Sequence, residues 1–154
     1  VLHIFKQQIN KGIPLTLTSK DMTRFFISMD QAIELCLYAS DSMIGGEIFV
    51  RNMGCCNILS LAKAVSNNDD NFNIIGLKSG EKLYEELVTQ NEAERTFNQD
   101  SWYTILPDTM DLIEPDHAKS LIEISNNMSK LKRSLRSDQN LMSDDQVVNM
   151  LMDL

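Results

Sequence analysis

The stretch "NILSLAKAVSNNDDNFNIIGLKSGEKLYEEL", residues 57–87, decides the fold class. Asn57 is a good N-cap, and apolar residues recur at helical spacing through residues 58–65, which predicts an amphipathic helix. The apolar run 72–77 predicts a buried strand, and the charged segment 81–87 after a glycine turn predicts a second helix. A helix, a strand and a helix in succession indicate an α/β fold.

The residues upstream continue this alternation. The predicted elements are an opening helix in 1–12, strands in 15–18 and 24–28, a helix from a capping box at 28–31 to Gly45-Gly46, and a short strand in 47–50. The opening helix has no N-cap, and no initiator methionine precedes it. We therefore expect the chain to be a fragment of a longer protein.

Downstream of residue 87 the pattern weakens. "WYTILP" (102–107) predicts a last strand, and residues 116–135 are predicted to be partly helical. A second capping box at 143–146 starts a terminal helix, whose apolar stripe is Val147, Met150, Leu151 and Leu154. The predicted sheet is too small for a whole protein of this class.

The charge of the chain argues against nucleic-acid binding. Its formal net charge is −8, and residues 81–116 alone contain ten acidic and two basic residues. Broad contact with a phosphate backbone is disfavoured for such a chain. The basic cluster in 130–136 is interpreted as the solvated face of a helix. No apolar run reaches the roughly 18 residues that span a bilayer, so we expect no membrane insertion and a cytoplasmic protein.

The cysteines and histidines predict neither a disulfide framework nor a metal site. Cys36 stands alone, Cys55 and Cys56 are adjacent, and His3 and His117 are far apart. This set lacks the spacing of zinc ligands. We interpret the three cysteines as small buried apolar residues.

No complete active site is visible in the sequence. There is no serine elbow motif and no G-x-G-x-x-G or G-x-x-x-x-G-K-[ST] loop, and the pair Gly45-Gly46 is interpreted as a helix stop. We therefore assign no catalytic residue to this chain.

Ionic side chains at strand ends are the remaining candidates. Arg24 opens a predicted strand, and a guanidinium can donate two hydrogen bonds at once to a diphosphate. Lys78 and Glu81 flank the turn after the strand 72–77, where ligands of open α/β sheets bind. They would hold a phosphate and a ribose diol. Alternatively, these side chains belong to an ordinary surface turn and meet only water.

Three stretches together resemble a known family. They are "DMTRFFISMDQAIELCLYA" (21–39), "GGEIFVRNMGCCNILSLAKAV" (45–65) and "IIGLKSGEKLYEELVT" (74–89). In this order they resemble the C-terminal part of the CapD-like polysaccharide-biosynthesis proteins, which are extended short-chain dehydrogenases/reductases (SDRs) acting as sugar-nucleotide epimerases and 4,6-dehydratases. The tail "RSDQNLMSDDQVVNMLMDL" (136–154) is similar to the terminal segment of that family.

The resemblance implies a division of the chain and a cofactor. Residues 1–106 would form the UDP-sugar-binding part of an α/β, extended SDR fold, and 107–154 a partly helical tail. The Rossmann half, with its glycine fingerprint and its catalytic tyrosine and lysine, is missing here. NAD(P) would therefore be bound by that half, and none by this chain alone. The intact enzyme would be a homo-oligomer.

The same resemblance implies roles for individual residues. Arg24 matches the arginine placed against the diphosphate, and Glu81 the acidic residue that accepts the ribose hydroxyls. Thr16 and Thr18 match the strand whose backbone meets the uracil. Lys78 replaces the more usual arginine, which keeps a cation but loses a bidentate fork.

The resulting hypothesis is the nucleotide-sugar-binding portion of an NAD(P)-dependent UDP-sugar 4-epimerase, acting on UDP-glucose or UDP-N-acetylglucosamine in bacterial capsule or O-antigen synthesis. The first alternative is the same portion of a UDP-N-acetylglucosamine 4,6-dehydratase. An alternative of another class is a truncated, non-enzymatic association module.

Overall fold

The computed structural model describes residues 1–67 and 71–152, and the chain forms two compact units. Unit 1 combines Val1–Ser28, Gly54–Glu85 and the C-terminal segment from Ser137. Unit 2 combines Met29–Met53 and Glu86–Arg136. Each unit has its own apolar core. The division between residues 106 and 107 that the sequence suggested stays a prediction.

Helices and strands alternate over much of the chain. The helices are α1 (Leu2–Asn10), α2 (Met29–Ser42), α3 (Ile58–Val65), α4 (Gln90–Ala93), α5 (Pro115–Ser125) and α6 (Asp144–Met152), with a 3-10 turn at Met110–Leu112. The strands are β1 (Leu15–Leu17), β2 (Thr23–Phe26), β3 (Ile48–Arg51), β4 (Gly54–Asn57), β5 (Phe72–Ile74), β6 (Glu86–Val88), β7 (Thr96–Gln99), β8 (Trp102–Ile105), β9 (Ser129–Lys130) and β10 (Leu135–Arg136). The predicted α/β class is confirmed.

Unit 1 is built from two strand pairs and three helices. β1 pairs in parallel with β5, and β2 pairs in antiparallel fashion with β4. α3 packs on α6 and on α1. Phe5, Leu17, Leu61 and Val147 are fully buried in one cluster, so residues from the two ends of the chain share a core.

Two predicted helix starts in unit 1 have the expected caps. The Asn57 side chain accepts a hydrogen bond from the Leu59 N–H at 2.7 Å and begins α3. At the start of α6, the Gln146 N–H donates to Ser143 Oγ at 3.3 Å and the Ser143 N–H donates to Gln146 Oε1 at 2.8 Å. This is the reciprocal pattern of a capping box. Leu154, assigned to the apolar stripe of that helix, lies outside the described residues.

Unit 2 contains an antiparallel sheet in the order β3-β8-β7-β9 and the separate pair β6-β10. Aromatic contacts join α2 to this sheet, since the Tyr38 ring stacks on the Trp102 ring with their centroids 4.6 Å apart. The strands predicted at 47–50 and 102–107 correspond to β3 and β8, but β8 is not the last strand as predicted, since β9 and β10 follow it. Residues 116–135 are partly helical, as predicted, because α5 ends at Ser125.

Several predictions of local structure are wrong. The strand predicted to be buried over 72–77 ends at Ile74, and residues 73–77 are exposed. Residues 81–85 are not helical, and 86–88 form β6 instead. The apolar spacing of Leu83 and Leu87 suggested a helix, but Leu83 is 40% exposed and the backbone of this segment bonds to other parts of unit 1. The basic cluster in 130–136 lies on β9, β10 and the loop between them, not on a helix. Cys36 is exposed, whereas Cys55 and Cys56 are buried as expected.

Candidate functional site

The turn after β5 carries two of the predicted site residues. The Glu81 N–H donates to the Lys78 carbonyl at 3.1 Å, and Gly80 has a φ of +85°, in the left-handed region. This combination is typical of a type II β-turn, in which glycine is favoured at the third position. Glu81 Oε2 in turn accepts from the Lys78 N–H at 2.8 Å. The turn predicted at Gly80 is therefore present, and the Lys78 and Glu81 side chains lie at the surface.

Arg24 is held against the segment that follows this turn. Its guanidinium donates to the carbonyls of Thr23 at 2.7 Å, Lys82 at 3.0 Å and Leu83 at 3.4 Å. Its Nε also lies 3.1 Å from a Glu85 carboxylate oxygen. The sequence suggested a guanidinium able to donate two hydrogen bonds to a diphosphate, but the side chain is only 21% exposed and most of its donors are engaged.

Thr16 and Thr18 lie on or just after β1. The Thr16 N–H donates to Gln8 Oε1 at 3.2 Å, and the Thr16 hydroxyl accepts from Gln8 Nε2 at 2.8 Å. The Gln8 side-chain amide, on α1, is thus the hydrogen-bond partner of both the N–H and the hydroxyl of Thr16. Thr18, half-buried, follows the last residue of β1.

The parallel pairing of β1 and β5 determines which site residues lie at the same edge. Leu17 is in register with Ile74, and the Ile75 N–H donates to the Leu17 carbonyl at 2.9 Å. The carboxyl ends of both strands therefore meet, so Thr18 and the segment leading to the Lys78–Glu81 turn leave the pair at one edge. Open α/β sheets bind ligands at such edges.

The 82–85 segment connects this turn to Arg24. Lys82, whose carbonyl accepts from Arg24, is the next residue after Glu81. The Thr23 N–H also donates to the Leu83 carbonyl at 2.8 Å, which brings the same segment against the start of β2. Arg24 is therefore hydrogen-bonded to the segment that follows Glu81. Thr18 lies at the end of the β1-β5 pair from which the segment containing Lys78 also leaves.

A buried hydroxyl cluster beside Arg24 was not predicted from the sequence. Ser137 Oγ accepts from the Glu85 N–H at 2.8 Å and lies 2.9 Å from the Thr23 hydroxyl. The Ser137 N–H donates to the Glu85 carbonyl at 2.9 Å. No local motif marks this serine, because its partners are 52 and 114 residues away in sequence. Only the resemblance of the tail to a terminal family segment pointed to that region at all.

The pair Gly45-Gly46 does not have the placement of a dinucleotide-binding glycine loop. Gly45 and Gly46 follow helix α2 instead of preceding a helix, and the Glu47 carboxylate already accepts from the N–H groups of Ile44 and Gly45. A pyrophosphate would meet that carboxylate instead of open donors. Within the described ranges, 1–67 and 71–152, no group of three His, Cys, Asp or Glu side chains is placed to hold a metal ion. The same part of the chain has no helix long and apolar enough to cross a membrane.

A family model and two curated relatives match the chain. The family model, described as "Polysaccharide biosynthesis protein", matches residues 1–107. A UDP-glucose 4-epimerase of Rickettsia rickettsii is 36% identical over 126 residues, which cover 80% of this chain and 36% of that protein. A UDP-N-acetylglucosamine 4,6-dehydratase (inverting) of Campylobacter jejuni is 32% identical over 143 residues, covering 91% of this chain and 42% of that protein.

A solved structure has a similar fold. The X-ray structure of Pen from Bacillus thuringiensis superimposes with a TM-score of 0.81 and 26% sequence identity, over 99% of this chain and 44% of that one. The chain thus spans less than half the length of these two relatives and of this structure.

Proposed function

The chain belongs to the polysaccharide biosynthesis protein family, and we propose that it is the UDP-sugar-binding portion of an NAD(P)-dependent UDP-sugar 4-epimerase. Its CapD-like character is shown by the family match together with a 40% identity, over 60% of this chain and 16% of that protein, to the capsular polysaccharide biosynthesis protein CapD of Staphylococcus aureus. Its partial extended SDR fold is shown by the structural likeness. The proposal concerns the portion, the substrate and the reaction. We propose the cytoplasm as its compartment and a homo-oligomer as the intact enzyme.

The observation that carries the proposal is the path of the 75–85 segment, which contacts two parts of unit 1, the β1-β5 pair and the start of β2. The segment starts at the β1-β5 edge and ends against Arg24 and the start of β2. A ligand lying along it would meet Thr18 near one end and Arg24 near the other. An extended ligand with a ring, a diol and a diphosphate suits such a line of groups.

Each residue has a specific role in this proposal. Arg24 and Lys78 contribute positive charge for the diphosphate, and Glu81 accepts hydrogen bonds from the ribose hydroxyls. The backbone of Thr18 faces the uracil, and Thr16 contributes only its carbonyl, because its N–H donates to Gln8. Arg24 already donates to backbone carbonyls, so the diphosphate would mainly replace the Glu85 carboxylate as its ionic partner. The Glu85 side chain is 53% exposed.

The redox chemistry lies outside these residues. NAD(P) would supply hydride transfer when bound, and the glycines described above do not fit that cofactor. In the proposal, the cofactor and the catalytic tyrosine and lysine are supplied by a part of the protein beyond these 154 residues. The residues of this chain bind the nucleotide and orient the sugar toward that part.

Calorimetric titration of UDP and UDP-N-acetylglucosamine into the purified chain tests the proposal. We expect saturable binding that Arg24→Ala abolishes and Glu81→Gln weakens. Arg95→Ala is the matched control, because Arg95 also binds a backbone carbonyl and a carboxylate but lies in unit 2. A folded chain that binds neither ligand would contradict the site and favour the association module.

A 4,6-dehydratase is the second candidate, supported by the match over 91% of this chain to the Campylobacter jejuni enzyme. The two reactions are distinguished by incubating the intact protein with UDP-N-acetylglucosamine and measuring the mass of the product by mass spectrometry. An epimerase leaves the mass unchanged and alters the configuration at C4. A dehydratase produces a sugar nucleotide lighter by one water.

A further inference from the structure

We propose that Ser137 is a positioning residue of the nucleotide site, which it serves by fixing the 82–85 segment against β2. The inference rests on the proposed function, because it assigns this serine to the support of Arg24 and Glu81. Ser137 lies beyond residues 1–107, which the family model matches, so that match gives it no role.

The hydrogen bonds of Ser137 use its full capacity. The Glu85 N–H and the Thr23 hydroxyl can both donate to Ser137 Oγ, at 2.8 and 2.9 Å, while the Ser137 hydroxyl donates to the Thr23 carbonyl at 3.2 Å. A serine hydroxyl has one proton to give and two lone pairs to share, so this assignment satisfies every group. Ser137 is fully buried and Thr23 is 3% exposed, which leaves water little access to replace these bonds.

The segment that contacts Ser137 is fixed in part by hydrogen bonds to its backbone. Residues 82–85 are exposed and lie in neither a helix nor a strand. Their backbone is held by the bonds to Thr23, Arg24 and Ser137. Exposed segments with few buried contacts open locally at low free energy. The Ser137 contacts therefore limit the motion of residues 82–85. This segment follows Glu81 directly and includes the carbonyls that accept from Arg24.

Ser137 is itself anchored by the tail that follows it. The Met142 N–H donates to the Cys55 carbonyl at 2.9 Å, and the Cys55 thiol donates to the Gln139 carbonyl at 3.0 Å. Further along, Val147 is fully buried in the unit 1 core. A rigid support of this kind is what a binding residue needs if its geometry is to be preorganised.

Ser137→Ala in the full 154-residue chain tests the inference by two measurements. Amide hydrogen exchange should become about tenfold faster or more at Glu85, since its partly buried N–H loses its acceptor. The affinity for UDP should fall severalfold in the same variant. Ser125→Ala is the matched control, because Ser125 is also buried but its hydroxyl donates to the Ile122 carbonyl of the same helix, α5, in unit 2. It should change neither measurement.

The outcomes separate this inference from the proposed function. If the wild-type chain fails to bind UDP, the proposed function fails and Ser137 has no nucleotide site to support. If wild type binds UDP and Ser137→Ala leaves either the exchange at Glu85 or the affinity unchanged, Ser137 is not a positioning residue. Should Ser137→Ala lack a cooperative unfolding transition, the isosteric Thr23→Val replaces it. That variant removes the hydroxyl partner of Ser137 but keeps the acceptor of the Glu85 N–H, so it is judged by the affinity for UDP, which should fall. Unchanged affinity would overturn the inference.

Discussion

The Arg24 guanidinium and the Glu85 carboxylate lie 3.1 Å apart, and the Glu85 backbone is bound at the same time to Ser137. The carboxylate therefore stands where an incoming anion would approach the arginine. It neutralises part of the charge that the proposed diphosphate site requires.

Glu85→Gln should strengthen UDP binding about two- to fivefold, the range expected for removing one partly exposed opposing charge. The backbone contacts of residue 85 with Ser137 stay intact in this variant. Calorimetry at low and at high salt measures the effect, which should shrink as salt screens it. Glu86→Gln, at an exposed neighbour, is the control. Weaker binding in Glu85→Gln would mean that the carboxylate supports the site.

Gly80→Ala should lower the free energy of unfolding by about 1 kcal/mol, because an L-residue is strained at a φ of +85°. A methyl group there would meet nothing within 4 Å, so the cost comes from the backbone alone. Gly80→Asn should cost less, since asparagine tolerates the left-handed region. Urea unfolding measures both variants. Equal stability of wild type and Gly80→Ala would contradict the left-handed turn.

Leu61→Ala should destabilise unit 1 by roughly 2–5 kcal/mol, as expected for a buried leucine that leaves a cavity. Leu61 is fully buried, whereas Leu83 is 40% exposed. Leu83→Ala is therefore the matched control and should change the free energy of unfolding by less than about 1 kcal/mol. A similar loss in both variants would show that Leu83 is buried after all.

The two buried thiols should weaken the fold in alkali. Burial, and next the neighbouring Cys55, raise the pKa of Cys56 from 9.0 to about 12. Burial and then the Asp138 charge also raise the pKa of Cys55. The unfolded chain ionises these thiols from about pH 9, while the folded chain keeps them protonated. The stabilisation is therefore complete below pH 9 and is lost as the pH rises toward 12.

In Cys56→Ala, the free energy of unfolding should fall less steeply with pH above pH 9, by up to about 1.4 kcal/mol per pH unit. Urea unfolding at several pH values between 8 and about 11 measures the slope. Cys36→Ala, at an exposed thiol, should retain the wild-type slope. A Cys56→Ala curve parallel to wild type would contradict the raised pKa.

The elements predicted correctly are those with local signals. Asn57 and the apolar spacing after it define α3, and the Ser143–Gln146 box defines the start of α6. Such signals depend on neighbours within one or two turns, so the sequence alone is sufficient. The turn at Gly80 belongs to the same class.

The elements predicted wrongly are those determined by distant partners. The segment 81–88 has helical spacing, but Arg24, Thr23 and Ser137 bind its backbone, and β10 pairs with its end. Strand β4, with the sequence "GCCN", lacks alternation and was missed because its pairing with β2 defines it. For the site, the sequence pointed to Arg24, Lys78 and Glu81 individually, but not to the serine that supports their segment.

The shared core of the two chain ends has a consequence for synthesis. Phe5 and Val147 pack in one cluster, although Val147 is translated long after Phe5. Unit 2, which ends at Arg136, is fully translated before the tail that completes unit 1. Domains fold as their residues leave the ribosome, so the nascent chain completes unit 2 first. Unit 1, with the proposed nucleotide site, closes only after the ribosome has released α6.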